Sequence, residues 1–481
     1  MFPLVYEINT RIWLRQLSEY YNQPITLGSV PDSEFSFFAQ CNFDIIWLMG
    51  VWQPSKYSNA IATSHPSLRK GFLAHVPHDL KADDITASPY SIPTYTINDA
   101  LGGNDELLAF RARLHRIGIK LMLDFVPNHL ALDNEWLPEH PEFFMPLRED
   151  EHSQDPNAGF EYVANSYLAY GKDPYFAPWT DTLQLNYANL ATHDMMTENL
   201  MKIGALADAV RCDVAMLILK SVFNTTWSSL GGQMHKEFWF DAISSVKKRY
   251  HDMIFLAEAY WNKEWELQMQ GFDFTYDKPY YDYVTNAPVV VDKLSGHLSG
   301  GWDYQQKLCR FLENHDEPRS AAKLGLNNRA AAVVLLTTPG MHLIHQQQMV
   351  GYKKQMPVQL LRQAVEPEDG ELAALYEQLF ALQTHEVFQH GGIEWLDLNV
   401  CHYCHCFGFR RYHDEKNAFV IVNFSPFGMD LTFSHAALEN MEGKALHTLS
   451  STGKLAENEL SVEGRAVKVT LSPHEALVMY N

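Results

Sequence analysis

The chain has 481 residues, 46% of them hydrophobic, and carries 58 acidic against 37 basic residues, a net charge of −21. That balance excludes nucleic acid and anionic membrane surfaces as partners, and no apolar run approaches the roughly 20 residues that a membrane helix needs. Length alone suggests about three domains, although one α/β barrel can absorb about 250 residues or more.

The first residues lead directly into a strand, with no basic segment followed by an apolar run. Six cysteines in a chain of this length do not form a disulfide framework. Both features predict a cytoplasmic protein. Leu4–Asn9 and Phe43–Met49 are apolar runs of strand length with a helical stretch between them. Asn104 is placed to cap a helix in which Leu107, Phe110, Leu114 and Ile117 recur at helical spacing, and Gly118 ends it. Ile119–Leu123 is then a continuous apolar strand closed by Asp124.

This unit of helix, turn, buried strand and carboxylate repeats along the chain. Met196, Leu200 and Ile203 give a helical face before Ala209–Asp213. Phe238–Tyr250 gives another before Met253–Glu258, and a stretch around Tyr304 precedes Cys309–Asp316. Arg329–Leu336 precedes Met341–Ile344, and Phe272–Tyr276 is a short further strand. Eight strands, starting near Leu4, Phe43, Ile119, Ala209, Met253, Phe272, Cys309 and Met341, predict an α/β protein with a (β/α)8 TIM barrel. In such a barrel the active site lies at the carboxyl ends of the strands. Asp124, Asp213, Glu258 and Asp316 stand at four of those ends.

The connection from Leu130 to Asp194 is too long for a simple loop and is rich in aromatics, among them Tyr162, Tyr167, Tyr170, Tyr175, Trp179 and Tyr187. It reads as a subdomain over the barrel mouth. After about Gly391 the pattern becomes one of short strands and turns: His405–Tyr412, Ala418–Asn423, Asp430–Phe433, Ala445–Leu449, Ala466–Leu471 and Ala476–Tyr480. The expected organisation is a barrel from 1–129 and 195–390, an inserted loop subdomain at 130–194 and a C-terminal antiparallel β-sandwich at 391–481. The run Cys401-His402-Tyr403-Cys404-His405-Cys406 has no second ligand cluster to complete a metal site and is not read as one.

The chemistry begins with Asp208–Met216. Alternation along the strand puts Arg211 and Asp213 on one face, two residues apart, so the guanidinium can orient the carboxylate and hold it ionised. An oriented, charged carboxylate at a strand end suits nucleophilic attack on a sugar. Glu258 follows Phe255, Leu256 and Ala257, apolar surroundings that would raise the pKa of an acid.

Four motifs stand in order: Asp124-Phe-Val-Pro-Asn128-His129, Arg211-Cys-Asp213, Phe-Leu-Ala-Glu258-Ala, and Asn314-His315-Asp316. Together they resemble the alpha-amylase family, glycoside hydrolase family 13. The resemblance implies that Asp213 is the nucleophile, Glu258 the general acid and then base, and Asp316 the carboxylate that holds the ring hydroxyls and distorts the sugar. It further implies that Arg211 orients Asp213, that His129 and His315 bind sugar hydroxyls, that Tyr90 is the aromatic platform under the ring, and that Asp124 braces the arginine. Asn128 sits where many members ligate calcium. No cofactor is required, and calcium remains open. Where many amylases carry Lys-His after the nucleophile, this chain has Met216 and Leu217. That departure predicts calcium independence, an apolar leaving-group side and a preference for short substrates over starch.

The expected activity is that of a retaining α-glycosidase on α-linked glucosides or short oligosaccharides. A transglycosylase or disaccharide phosphorylase on the same scaffold differs only in what attacks the covalent intermediate. An inactive binding subunit is disfavoured by the intact trio Asp213, Glu258 and Asp316. The sequence leaves the oligomeric state open.

Overall fold

The computed structural model describes residues 1–75, 79–163, 165–286, 289–399, 405–441, 446–453 and 460–481. Eight parallel strands close into a barrel: β1 (Leu4–Asn9), β2 (Ile45–Met49), β3 (Lys120–Phe125), β4 (Ala209–Cys212), β5 (Ile254–Ala257), β6 (Phe274–Tyr276), β7 (Leu308–Arg310) and β8 (Met341–His345). Each strand pairs with its neighbours in chain order, and β8 closes on β1. The α/β reading therefore holds. The strands are buried on both faces, which is why they read as near-continuous apolar runs. Inside the barrel, Val5, Ile45, Trp47, Met122, Leu256, Tyr276, Cys309 and Leu343 pack as one cluster.

Some local expectations shift. The helix of residues Gly103–Arg116 starts after Gly102, whose φ of 106° suits glycine, while Asn104 lies in its first turn and accepts the Ile97 N–H at 3.2 Å. β7 ends at Arg310, so Phe311–Asp316 is loop rather than strand. The long connection is not structureless. It holds an antiparallel sheet of His129–Ala131, Trp179–Gln184, Ser166–Gly171, Pro146–Leu147 and Gly159–Val163. These strands are short, and Gly159–Val163 and Ser166–Gly171 are only partly buried, so they give little periodic signal. The helix that returns to the barrel, Leu190–Leu206, begins before residue 194 and is capped by Asn189, which accepts the Ala191 N–H.

The C-terminal strands form two antiparallel sheets. β9 (Gly392–Trp395), β10 (Cys406–His413), β11 (Lys416–Asn423) and β13 (His447–Ser450) share one with β16 (Glu475–Tyr480). β12 (Met429–Ser434), β14 (Leu460–Glu463) and β15 (Ala466–Leu471) form the other. Between them lie Phe419, Ile421, Leu431, Phe433, Val467, Val469 and Leu477. The buried Arg411 ties this unit to the barrel by donating to Thr337 O at 2.5 Å. Cys401, His402 and Cys404 lie outside the described residues. Among the described residues, no helix is long and apolar enough to cross a membrane, and no group of three or more His, Cys, Asp or Glu side chains is arranged to hold a metal ion.

Candidate active site

The site is assembled by strand register. β3 and β4 pair Asp124 with Arg211, so the two side chains lie side by side on the inner face. β4 and β5 pair Cys212 with Ala257, and the backbone bonding continues one step further. Asp213 N–H donates to Phe125 O at 2.8 Å and Glu258 N–H to Cys212 O at 3.0 Å. Both carboxyl-bearing residues are thereby fixed just past the ends of their strands.

Arg211 is the hub. Its Nη1 lies 2.6 Å from Asp213 Oδ1 and 3.6 Å from Asp124 Oδ1, and its Nη2 lies 2.9 Å from Glu258 Oε2. The guanidinium is fully buried, with the rings of Trp47, Tyr90 and Tyr276 at 5.3, 5.4 and 5.6 Å. Against burial, the neighbouring carboxylates, Glu258 foremost, keep this cation charged, and the three rings line its pocket. Trp47 also donates its indole N–H to Asp124 Oδ2 at 3.1 Å, which fixes the carboxylate that braces the arginine.

Glu258 is held at three points. Besides Arg211, Tyr260 donates its hydroxyl to Oε1 at 2.9 Å and Val214 donates its N–H to Oε2 at 2.5 Å. Val214 is a β-branched residue at φ 35°, ψ 44°, in the left-handed region that such residues avoid. The turn that puts its N–H on Glu258 is therefore strained, and the strain sits beside Asp213.

His315 forms the second arm. Its Nδ1 lies 2.5 Å from Glu7 Oε1, and its Nε2 lies 2.9 Å from Asp316 Oδ2 and 2.7 Å from Tyr90 Oη. Tyr90 stacks on the same imidazole with centroids 5.2 Å apart. Two flanking carboxylates outweigh burial and hold His315 well above its ordinary value, so it is an imidazolium at neutral pH. Burial alone would push Glu7 and Asp316 up, but the imidazolium outweighs it and both lie below the carboxylate range. Asp316 is ringed by protein atoms, yet its side chain is 48% exposed. Solvent therefore reaches it and weakens the burial cost.

Around Arg211 the balance is reversed. Burial pushes Asp124 up to about 6 and Glu258 up to about 7, against the pull of Arg211. Asp213 is also raised, by burial first and by Asp316 and Asp124, even with the arginine beside it. The expectation that Arg211 alone holds Asp213 fully ionised is too simple, because one cation is shared by several buried acids.

His129 is buried, and burial pushes it down to about 4, so it is neutral. Its ring meets the Tyr90 backbone and packs on Trp179 of the inserted sheet at 4.9 Å. That packing needs Gly171, where a Cβ would stand 2.8 Å from His129 Cβ. The structure thus links Asp124, His129, Arg211, Asp213, Glu258, His315, Asp316 and Tyr90 through one network. Asn128 borders it, with Nδ2 3.3 Å from His129 Nδ1. Its Oδ1 accepts from Gln184 Nε2 at 3.0 Å and its Nδ2 donates to Gln184 Oε1 at 3.2 Å, so an amide partner already uses its polar atoms.

Met216 and Leu217 do not line the leaving-group side as expected. Both are buried in the hydrophobic core, in the short 3-10 turn Ala215–Ile218. They do not present an apolar surface to a leaving group, because the turn after Asp213 points their side chains inward.

A family model described as the alpha amylase catalytic domain matches residues 79–378. The chain belongs to the alpha-amylase family. It is 23% identical over 228 residues to an alpha-1,4-glucan:maltose-1-phosphate maltosyltransferase of Bifidobacterium animalis subsp. lactis, covering 46% of this chain and 27% of the relative. The chain thus spans about a quarter of the length of the curated relative it matches. Its fold is that of a maltogenic alpha-amylase from Thermotoga neapolitana (TM-score 0.68, 18% identity, covering 100% of this chain and 98% of the other). It is equally that of a trehalose-6-phosphate hydrolase from Bacillus licheniformis (TM-score 0.69, 15% identity, 99% and 98% covered).

The sequence did not single out Glu7, Trp47, Tyr260 or Tyr276. Glu7 carried a usable signal, as the one carboxylate in a six-residue strand that is buried throughout. Tyr260 carried a weaker one, two residues beyond Glu258. Trp47 and Tyr276 were indistinguishable from ordinary core.

Proposed function

We propose that this protein is a retaining α-glycosidase that cleaves α-linked glucosides by double displacement. Asp213 attacks the anomeric carbon while Glu258 protonates the leaving oxygen. Glu258, now a carboxylate, then takes a proton from water, which opens the glycosyl–Asp213 ester. Asp316 and His315 hold ring hydroxyls, Tyr90 lies under the ring, His129 contacts the same sugar, and Asp124 braces Arg211.

The observation that carries this reading is the fork of Arg211, with one nitrogen on Asp213 and the other on Glu258. Glu258 also touches the N–H of Val214, the residue next to Asp213. Two carboxylates on one guanidinium favour the spacing of about 5–5.5 Å used by retaining enzymes over the wider one that admits a water. The value of about 7 for Glu258 suits an acid that must also act as a base near neutrality. No step draws on a metal. Buried free thiols at Cys41, Cys212 and Cys309 support a reducing, cytoplasmic setting.

Short substrates are the size this reading favours, with the inserted sheet standing against His129 through Trp179. The second reading, transfer to a sugar instead of water, is favoured by the likeness to a maltosyltransferase. The test is product analysis on α-linked di- and trisaccharides and soluble starch, with and without phosphate. The reading expects free sugars from the short substrates at higher kcat/KM than from starch, at equal concentration of cleavable bonds. Faster attack on starch overturns the size preference. A sugar phosphate formed only with added phosphate overturns hydrolysis as the main reaction.

A further inference from the structure

We infer that Glu7, buried on β1, is a positioning residue for the reaction. Through the His315 imidazole it fixes the Asp316 carboxylate and the Tyr90 hydroxyl where the sugar ring meets them. The inference deepens the retaining reading above and rests on it.

Asp213 and Glu258 are set by strand register, but Asp316 is not. β7 ends at Arg310, so Asp316 stands out on a loop. Local bonds hold its backbone. Asn314 Oδ1 accepts the N–H groups of Asp316 and Glu317, each at 2.9 Å, and Gln355 Nε2 donates to Asp316 O at 2.7 Å. The Asp316 side chain is half-exposed and takes its bearing from His315 Nε2. That imidazole is in turn pinned to the barrel wall by Glu7. The Glu7 side chain is fully buried, and its Oε2 finds no hydrogen-bond partner among the described residues. Apolar side chains of similar volume often serve a fold as well as a buried ion pair, so stability does not account for a carboxylate here.

The geometry fixes the protons. His315 Nδ1 faces a Glu7 oxygen and Nε2 faces an Asp316 oxygen, and ionised carboxylates only accept. Both ring nitrogens therefore donate, which an imidazolium does and a neutral ring cannot. A protonated Nε2 also makes Tyr90 Oη its acceptor at 2.7 Å, so the tyrosine's own O–H is free for another partner. A neutral ring protonated on Nδ1 would turn a lone pair on Asp316 and take up the Tyr90 proton in a hydrogen bond. One carboxylate on β1 thus decides the state of two groups placed at the sugar.

The other groups that face the pair leave this role to Glu7. They are Asp124 on β3, Arg211 on β4, Tyr276 on β6, Cys309 on β7 and His345 on β8. Burial keeps Tyr276 and Cys309 neutral. Arg211 is already forked between Asp213 and Glu258. His345 lies opposite Glu7 in the β1–β8 register, but its Nδ1 stands 3.0 Å from Arg319 Nη1. A guanidinium only donates, so that nitrogen presents a lone pair, and burial keeps the ring neutral. His315 is the cation that Glu7 holds.

The test reads the imidazole directly. Histidine labelled with nitrogen-15 gives the ring signals of the free protein, and the signal lost in His315→Gln belongs to His315. In the wild type it should keep the imidazolium shift at about pH 8, well past the ordinary histidine value of about 6.5. In Glu7→Gln, an amide of the same shape, the ring should lose its second proton at lower pH than in the wild type. On an α-linked disaccharide the same variant should lose about tenfold in kcat, the size of the charge-assisted part of one hydrogen bond, with KM near the wild-type value. A wild-type His315 that titrates near its ordinary value overturns the inference without any variant. So does a folded Glu7→Gln that keeps wild-type kcat, or one whose His315 signal titrates as in the wild type. A wild type inert on every α-linked substrate overturns the retaining reading and this role together, whatever the imidazole signal shows.

Discussion

Two sets of buried acids stand at the same barrel, and burial acts on both alike. Asp277, after β6, meets Arg310 Nε at 3.0 Å and His297 Nε2 at 2.6 Å, and accepts the Tyr280 N–H at 3.1 Å. Glu313 has Arg319 at 2.7 Å and the Ser320 N–H at 2.5 Å. Burial would push both up, yet their cations outweigh it and both lie below the carboxylate range. Around Arg211 three acids share one guanidinium, and Asp124, Asp213 and Glu258 are all raised. The local balance of cations against neighbouring acids, not depth alone, decides the sign, because Coulomb terms over a few ångströms are large in a poorly solvated interior. The saturated acids hold the fold. The under-paired ones can hold and release a proton near neutral pH.

Breaking each set should therefore fail differently. Asp213→Asn should abolish nearly all turnover while melting like the wild type, since an amide cannot form the glycosyl ester. A kcat loss of less than about tenfold, roughly 1.4 kcal/mol of barrier, would remove Asp213 from the nucleophile's place. Asp277→Asn should do the reverse. Leaving the buried Arg310 without its counter-charge should cost about 3–5 kcal/mol of stability in a denaturant titration. Equal stability losses in the two variants would erase the distinction. The pH dependence of the two sets also differs. The folded pKa of Asp277 is depressed, so its stabilisation is present above the ordinary value of 3.8 and is lost as pH falls through the folded value. The folded pKa of Glu258 is raised from 4.5 to about 7, so its cost to the fold grows as pH rises across that interval.

Glu258→Gln should lose about 10²–10⁴-fold on sugar glycosides but recover in part when the leaving group needs no proton. The same deficit on activated and natural substrates would contradict its role as acid. A gentler change sharpens the comparison. Tyr260→Phe removes a hydrogen bond that favours ionised Glu258, so its pKa should rise and the basic limb of kcat/KM should move to higher pH. A limb that stays in place would mean that Tyr260 does not set the proton affinity of the acid. The smallest effect is expected from chelation, which should leave the melting temperature unchanged because Gln184 already occupies the polar atoms of Asn128. A fall on chelation, reversed by calcium, would contradict this.

The barrel was legible because its strands are buried on both faces and alternate with helices of clear period. Asp124, Asp213 and Glu258 were legible because carboxylates are conspicuous at the ends of apolar runs, whereas Asp316 stands in the loop after β7 and was placed by its motif. What could not be read was partnership. Nothing near Glu7 in sequence announces His315, which lies in the loop after β7 and meets it only when β8 closes on β1. Nothing in Trp47 separates a ring that boxes Arg211 from one that fills space. Met216 and Leu217 show the converse error. Position just after Asp213 suggested a place in the site, but the left-handed Val214 turns the chain and both side chains are buried.

The central claim is that Asp213 and Glu258, joined by one guanidinium, work as a retaining pair. Proton NMR of the first product released from an α-linked substrate, recorded before mutarotation, tests it most directly. Double displacement predicts that the α-anomer appears first and the β-anomer only later, by mutarotation. Early β-anomer would contradict the mechanism and the assignment of Asp213 as nucleophile together.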